Sequence, residues 1–182
     1  AERIIDFLQK VQPESGLFQA RYLPDGSGVP DNRGVELDGL GWALWATAQV
    51  AAELAEPDRT AFVQRHRLLI DRSTAAALNS IDNSSAMPAP SADYWEVKEH
   101  RLTLATAAMV SAGLESGASL YRILGDDHQA RVAMAGAART RTLEYERALF
   151  FSDETNPDFA AALLRNRDVD VLQVVRAGAF DD

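Results

Sequence analysis

The chain contains no cysteine. Disulfides, thiolate-bound metals and thiol nucleophiles are therefore excluded, although this absence fixes no compartment. Positive charge is also scarce: 18 Lys and Arg stand against 27 Asp and Glu, a formal net charge of -9. Nucleic acid and anionic membrane surfaces are held by clustered Lys and Arg, so neither is expected as a partner. No apolar run approaches the ~20 residues that span a bilayer. The opening residues, Ala1 to Asp6, lack the apolar core of a signal peptide, which leans weakly toward a cytoplasmic location. His66, His100 and His128 have no partners at metal-ligand spacing, so no metal is inferred. No Gly-rich phosphate loop or nucleophile elbow occurs. A covalent serine mechanism has no support, and no cofactor is expected.

What remains is an ordinary globular composition, 47% hydrophobic and 25% charged, on 182 residues. That length buries one core, so a single domain over 1–182 is the default. Strand signals are confined to one short extended piece, Gly16 to Tyr22, closed by the turn Pro24-Asp25-Gly26. Helical periodicity dominates elsewhere. A short helix spans residues 1–11, with Ile4, Ile5, Leu8 and Val11 on one face. A second runs from Asp38 to Leu54, and a third from Asp58 to about Asn79, opened by Pro57-Asp58. A fourth runs from Thr103 to Leu124 and stops at Gly125, a C-cap signal. Asp126 caps the next, Asp127 to Leu149. Asn156-Pro157 starts a helix to about Arg165, and Val169 to Ala179 forms the last.

These helices pair into hairpins joined by tight turns, and the class is all-α. Ala43 to Val50 resembles Thr103 to Val110 in pattern, and each opens a hairpin of two long helices. A helical repeat of roughly 60 residues follows, as in toroids and solenoids. The second of these opening helices is rich in alanine (Ala105, Ala107, Ala108, Ala112, Ala118), as suits a helix packed on several sides.

Between Asn79 and Arg101 lies a long stretch with no period of its own. Long loops in compact helical domains are functional or disordered. This one ends in Asp93-Tyr94-Trp95-Glu96, two large aromatics among carboxylates. An indole gives a sugar a flat apolar face, and the same wall raises a carboxyl pKa. Four residues alone also fit a tryptophan that plugs the core beside a solvated glutamate.

Three ordered segments carry a resemblance. Gly34-Val35-Glu36-Leu37-Asp38-Gly39 resembles the Gln/Glu, one residue, Asp-Gly stretch that opens an inner helix in glucoamylase-type glycoside hydrolases (glycoside hydrolase family 15). Asp93-Tyr94-Trp95-Glu96 resembles that family's Asp-Leu-Trp-Glu-Glu, whose first Glu is the general acid. Thr103 to Ala108 resembles the inner helix that follows the acid. The set covers residues 30 to about 130. Two departures stand out: Val97 replaces the family's second Glu, and no tryptophan occurs among Pro30 to Arg33.

The resemblance implies an (α/α)6 toroid, here a partial one amounting to about the first half. It also implies an inverting, exo-acting hydrolase of α-glucosidic bonds, with an oligosaccharide or disaccharide as substrate. Glu96 takes the acid role. Asp93, Tyr94 and Trp95 belong to the substrate site, Asp93 serving equally as a loop or capping residue. Glu36 and Asp38 line the sugar pocket, although Asp38 also suits N-capping of its helix. The family's base lies in late loops, so this chain alone is expected to lack it and to be inactive. The non-catalytic alternative is a helical-repeat domain that binds carbohydrate or protein. Trp42 and Trp45, three apart on one helix, read as core rather than platform. The apolar last helices, Phe159 to Leu164 and Val169 to Phe180, need cover, and a homodimer is one way to supply it.

Overall fold

The structure is a computed structural model that describes residues 1–92 and 102–155, with side chains through 141. Among these residues are six helices and no strand: α1 (Glu2–Val11), α2 (Asp38–Glu53), α3 (Asp58–Arg65), α4 (Arg67–Ser80), α5 (Leu104–Ile123) and α6 (Asp127–Thr155). The class is all-α. The expected helices over 156–165 and 169–179, and the motif Asp93 to Glu96, lie outside the described residues.

Local chemistry explains most boundaries. The Thr103 side chain accepts the Thr106 backbone N–H and so caps α5. Gly125 follows the end of α5 at φ +71°. Its N–H donates to Arg122 O at 3.1 Å, and Asp126 N–H donates to Tyr121 O at 2.9 Å. This pair of reversed bonds satisfies the last carbonyls of the helix. Asp126 then accepts Gln129 N–H at 3.2 Å and opens α6. α6 reaches Thr155, beyond the expected end at Leu149.

One expectation needs correction. The run from Asp58 to Asn79 is not one helix; it breaks at His66, where φ is -100° and ψ is 14°. At the break the His66 ring is fully buried. Nδ1 lies 2.9 Å from Phe62 O, and Nε2 lies 2.9 Å from Asp6 Oδ1 on α1. Arg65 reaches Glu2 at 2.8 Å beside it. The break lets one side chain bond its own helix end and α1 together.

α2 and α5 run parallel and touch backbone to backbone. A Cβ on Gly41 would lie 1.8 Å from Met109 O, and one on Gly113 would lie 2.4 Å from the Gly41 Cα. One turn on, Gly117 faces Leu44. α4 returns antiparallel to α5, with Tyr121 donating to Asp71 at 2.8 Å and Arg67 to Asp126 at 2.7 Å. α6 folds back on α5 through its hairpin, and Gly136 meets Leu78, Ile81 and Leu114. Two hairpins of the same sense thus stand side by side, α2 with α3–α4 and α5 with α6. α5 is buried along most of its length, which its alanines and glycines permit.

Candidate functional site

The segment between α1 and α2 builds the site. It leaves α1 through a close pass over α4 at Gly16, whose φ is +78° and whose Cβ position would sit 2.3 Å from Arg72 O. Only glycine fits both demands. The buried Gln12 side chain donates to Ser73 Oγ at 2.8 Å and anchors the crossing. The expected extended piece over 16–22 forms no strand. It makes one antiparallel bridge, Gln19 to Val35, flanked by Ala20 N–H to Gly34 O at 2.9 Å and Glu36 N–H to Phe18 O at 3.2 Å. The Tyr22 hydroxyl accepts the Gln19 N–H at 3.0 Å. The turn that follows is held by Asp25, which accepts from Ser27, and by Lys10 donating to Asp25 O. Arg21 and Arg33 both pair with Asp31, and the Arg21 hydrogen bond draws that carboxyl below its usual range.

This segment lies against the start of α2 and encloses a cleft of about 480 Å³, lined among others by Gln19, Tyr22, Glu36, Asp38, Trp42 and Trp45. Its size falls within the ~300–1,000 Å³ of small-molecule sites. Asp38, one of the lining residues, is only 2% exposed. The N-cap residue is Leu37, and no side chain caps the helix. The capping role open to Asp38 is therefore not the one it takes. It occupies the first turn instead, where the helix dipole favours a carboxylate.

The first motif also meets the approach to the second. Glu36 forms a parallel bridge with Ala92, the residue preceding Asp93 in sequence. Leu37 N–H donates to Ser91 Oγ at 3.3 Å. The segment 81–92 is fixed in turn by α6: Arg139 donates to Ile81 O at 3.1 Å and to Asn83 O at 2.7 Å, and Thr140 donates to Ala86 O. The structure thus brings Glu36 and Asp38 together in one cleft. Asp93, Tyr94, Trp95 and Glu96 lie outside the described residues.

Trp42 and Trp45 follow the core reading in part, packing against buried residues while also lining the cleft. Both are half-buried. They meet edge to face, with centroids 5.6 Å apart and planes at 83°. One side packs on Ala108, Met109 and Ala112, and the other borders the cleft. Sequence reasoning also missed Gln19 and Tyr22, which reach the cleft only through the bridge to Val35. The one available signal was an aromatic-rich extended piece ahead of the Glu36–Asp38 motif.

Among the described residues, no group of three or more His, Asp or Glu side chains is placed to hold a metal ion. No described helix is long and apolar enough to cross a membrane. Comparison with family models, with curated proteins and with solved structures finds no match to this chain.

Proposed function

We propose that this chain carries the acid-bearing part of an inverting, exo-acting glycoside hydrolase of glucoamylase type, acting on α-glucosidic bonds. The observation that supports this reading best is the bridge between Glu36 and Ala92. It joins a cleft holding two carboxylates and two indoles to the chain position directly before the Asp93-Tyr94-Trp95-Glu96 motif. The parallel packing of α2 and α5, each following one of the two motif-bearing loops, is consistent with neighbouring inner helices of a toroid.

In this reading Glu96 gives its proton to the glycosidic oxygen as the bond to the anomeric carbon breaks. A second carboxylate, about 6.5–9.5 Å from the acid in inverting enzymes, takes a proton from the water that attacks the opposite face. The resemblance assigns that base to late loops beyond the stretch it covers. Glu36 and Asp38 hold sugar hydroxyls rather than move the proton. The aromatic neighbours of Glu96 in sequence, Tyr94 and Trp95, suit a carboxyl that acts as the acid.

Calorimetric titration of the chain with maltose and trehalose tests the reading. Binding in the millimolar range is expected, weakened by Asp38→Asn and by Glu36→Gln. Wherever hydrolysis is measurable, Glu96→Gln lowers it by ~10²–10⁴-fold and leaves binding in place. Absence of binding to any short α-glucan overturns the proposal, as does full activity in Glu96→Gln. Sugar binding with no Glu96-dependent hydrolysis would point instead to a non-catalytic carbohydrate-binding repeat.

A further inference from the structure

We infer that the wall formed by Trp42 and Trp45, with Tyr22 and Gln19 opposite the helix, is a platform that positions a neutral pyranose ring over the Glu36–Asp38 pair. This inference rests on the carbohydrate reading above and assigns new residues to the same cleft.

Hydrogen-bonding capacity favours a ligand rich in hydroxyl groups. Among the described residues, neither indole N–H nor the Gln19 side-chain amide has a hydrogen-bond partner, and the Tyr22 hydroxyl accepts from Gln19 N–H and keeps its own proton to give. The lining side chains therefore bring two indole N–H groups, one phenolic O–H donor and an amide that both gives and accepts. A ligand that satisfies such a set carries many hydroxyl groups, each both donor and acceptor. A purely apolar ligand would leave the donors stranded, at a cost in affinity.

Shape and rigidity favour the same kind of ligand. Most of the lining is apolar: Leu8, Phe18, Ala20, Gly39, Ala43 and Ala46 complete the cleft. A pyranose has that same mixed character, hydroxyls around its rim and C–H groups on its faces. The tryptophans are fixed by their edge-to-face contact and by packing on Ala108, Met109 and Ala112. A wall already ordered loses little side-chain freedom when a ligand arrives. Gln19 and Tyr22 are likewise set by the Gln19–Val35 bridge and the bond between them.

The experiment uses the 182-residue chain with maltose and trehalose as probes. Affinity is read from tryptophan fluorescence, and contact from saturation transfer between irradiated aromatic protons and the sugar. Transfer to sugar C–H protons is expected in the wild type. Trp45→Leu should remove most of that transfer and weaken binding by about three- to tenfold, the range of one aromatic contact. Gln19→Ala, a half-buried polar position that leaves the core untouched, should weaken binding by a similar factor with an unchanged melting temperature. If Trp45→Leu fails to fold, Gln19→Ala and Tyr22→Phe decide. Sugar binding by the wild type that persists within twofold in these variants overturns the platform and leaves the carbohydrate reading standing. Failure of the wild type to bind either sugar overturns the carbohydrate reading itself, and the platform with it.

Discussion

Tyr121 shows how one buried polar group ties this fold to pH. Its ring is 2% exposed, and its hydroxyl donates to Asp71 Oδ1 at 2.8 Å. Burial, and then this hydrogen bond to a carboxylate, push its pKa well above the usual phenol value. A raised folded value means the contribution is present below the unfolded pKa of ~10 and is lost as pH rises through the folded one. Between the two, the unfolded phenol ionises and the folded one does not, so stability falls with rising pH, by at most about 1.4 kcal/mol per unit. Tyr121→Phe should cost about 1 kcal/mol near neutrality and should lack this one alkaline decline. Urea unfolding from neutral pH to well above pH ~10 checks both. Parallel pH profiles for the two proteins would refute the account. Such residue-scale roles were scarcely legible in the sequence. Asp38 is a good capping residue type, yet Leu37 occupies the cap. Trp42 and Trp45 have core spacing, yet border a cleft. In each case the outcome depends on what a distant segment places nearby, and helical period does not carry that.

At the scale of elements, the sequence was most legible where short-range chemistry decides. Thr103, Gly125 and Asp126 mark α5 and α6 because caps need only neighbours along the chain. The break at His66 was hidden, since Phe62, Leu69 and Ile70 keep helical period across it and the partner, Asp6, is 60 residues away. The α2–α5 contact gives a direct test of packing. Gly113→Ala would force a methyl into the Gly41 backbone, so the helices must part. A loss of about 3 kcal/mol or more is expected, at the upper end of overpacking costs. Gly28→Ala, with nothing within 4 Å of its Cβ position, serves as a near-neutral control. Equal melting temperatures for the two variants would contradict the close approach. The α6 cap gives a second test. The Arg67 hydrogen bond and the Gln129 N–H hold the Asp126 carboxyl below its ordinary range. A lowered folded value means its contribution is present above the unfolded pKa of ~3.9 and is lost as pH falls through the folded one. Asp126→Ala should therefore destabilise at neutral pH, and its deficit against wild type should shrink on acidification below about 3.9. A deficit independent of pH would mean that the carboxylate charge contributes nothing.

At the scale of the molecule, the cleft is a joint between three parts of the chain. Leu8 comes from α1, Phe18 to Tyr22 from the crossing segment, and Trp42 and Trp45 from α2. α2 in turn is locked to α5 through Gly41 and Gly113. A ligand that bonds both walls must stabilise the folded chain as a whole and quiet the crossing segment in particular. At a maltose concentration a hundred times its dissociation constant, linkage supplies about 2.7 kcal/mol. For a domain of this size that corresponds to roughly 5–10 °C in melting temperature, at about 2–4 °C per kcal/mol. Hydrogen exchange should slow most at the amides of Gln19 to Tyr22 and least at those of α6 near its hairpin, which take no part in the cleft. Stabilisation of the expected size with protection confined elsewhere would show that the sugar binds, but on another surface. Protection of Gln19 to Tyr22 that disappears in Gln19→Ala, while α5 amides keep their wild-type exchange, would tie the ligand to this joint rather than to general tightening of the fold.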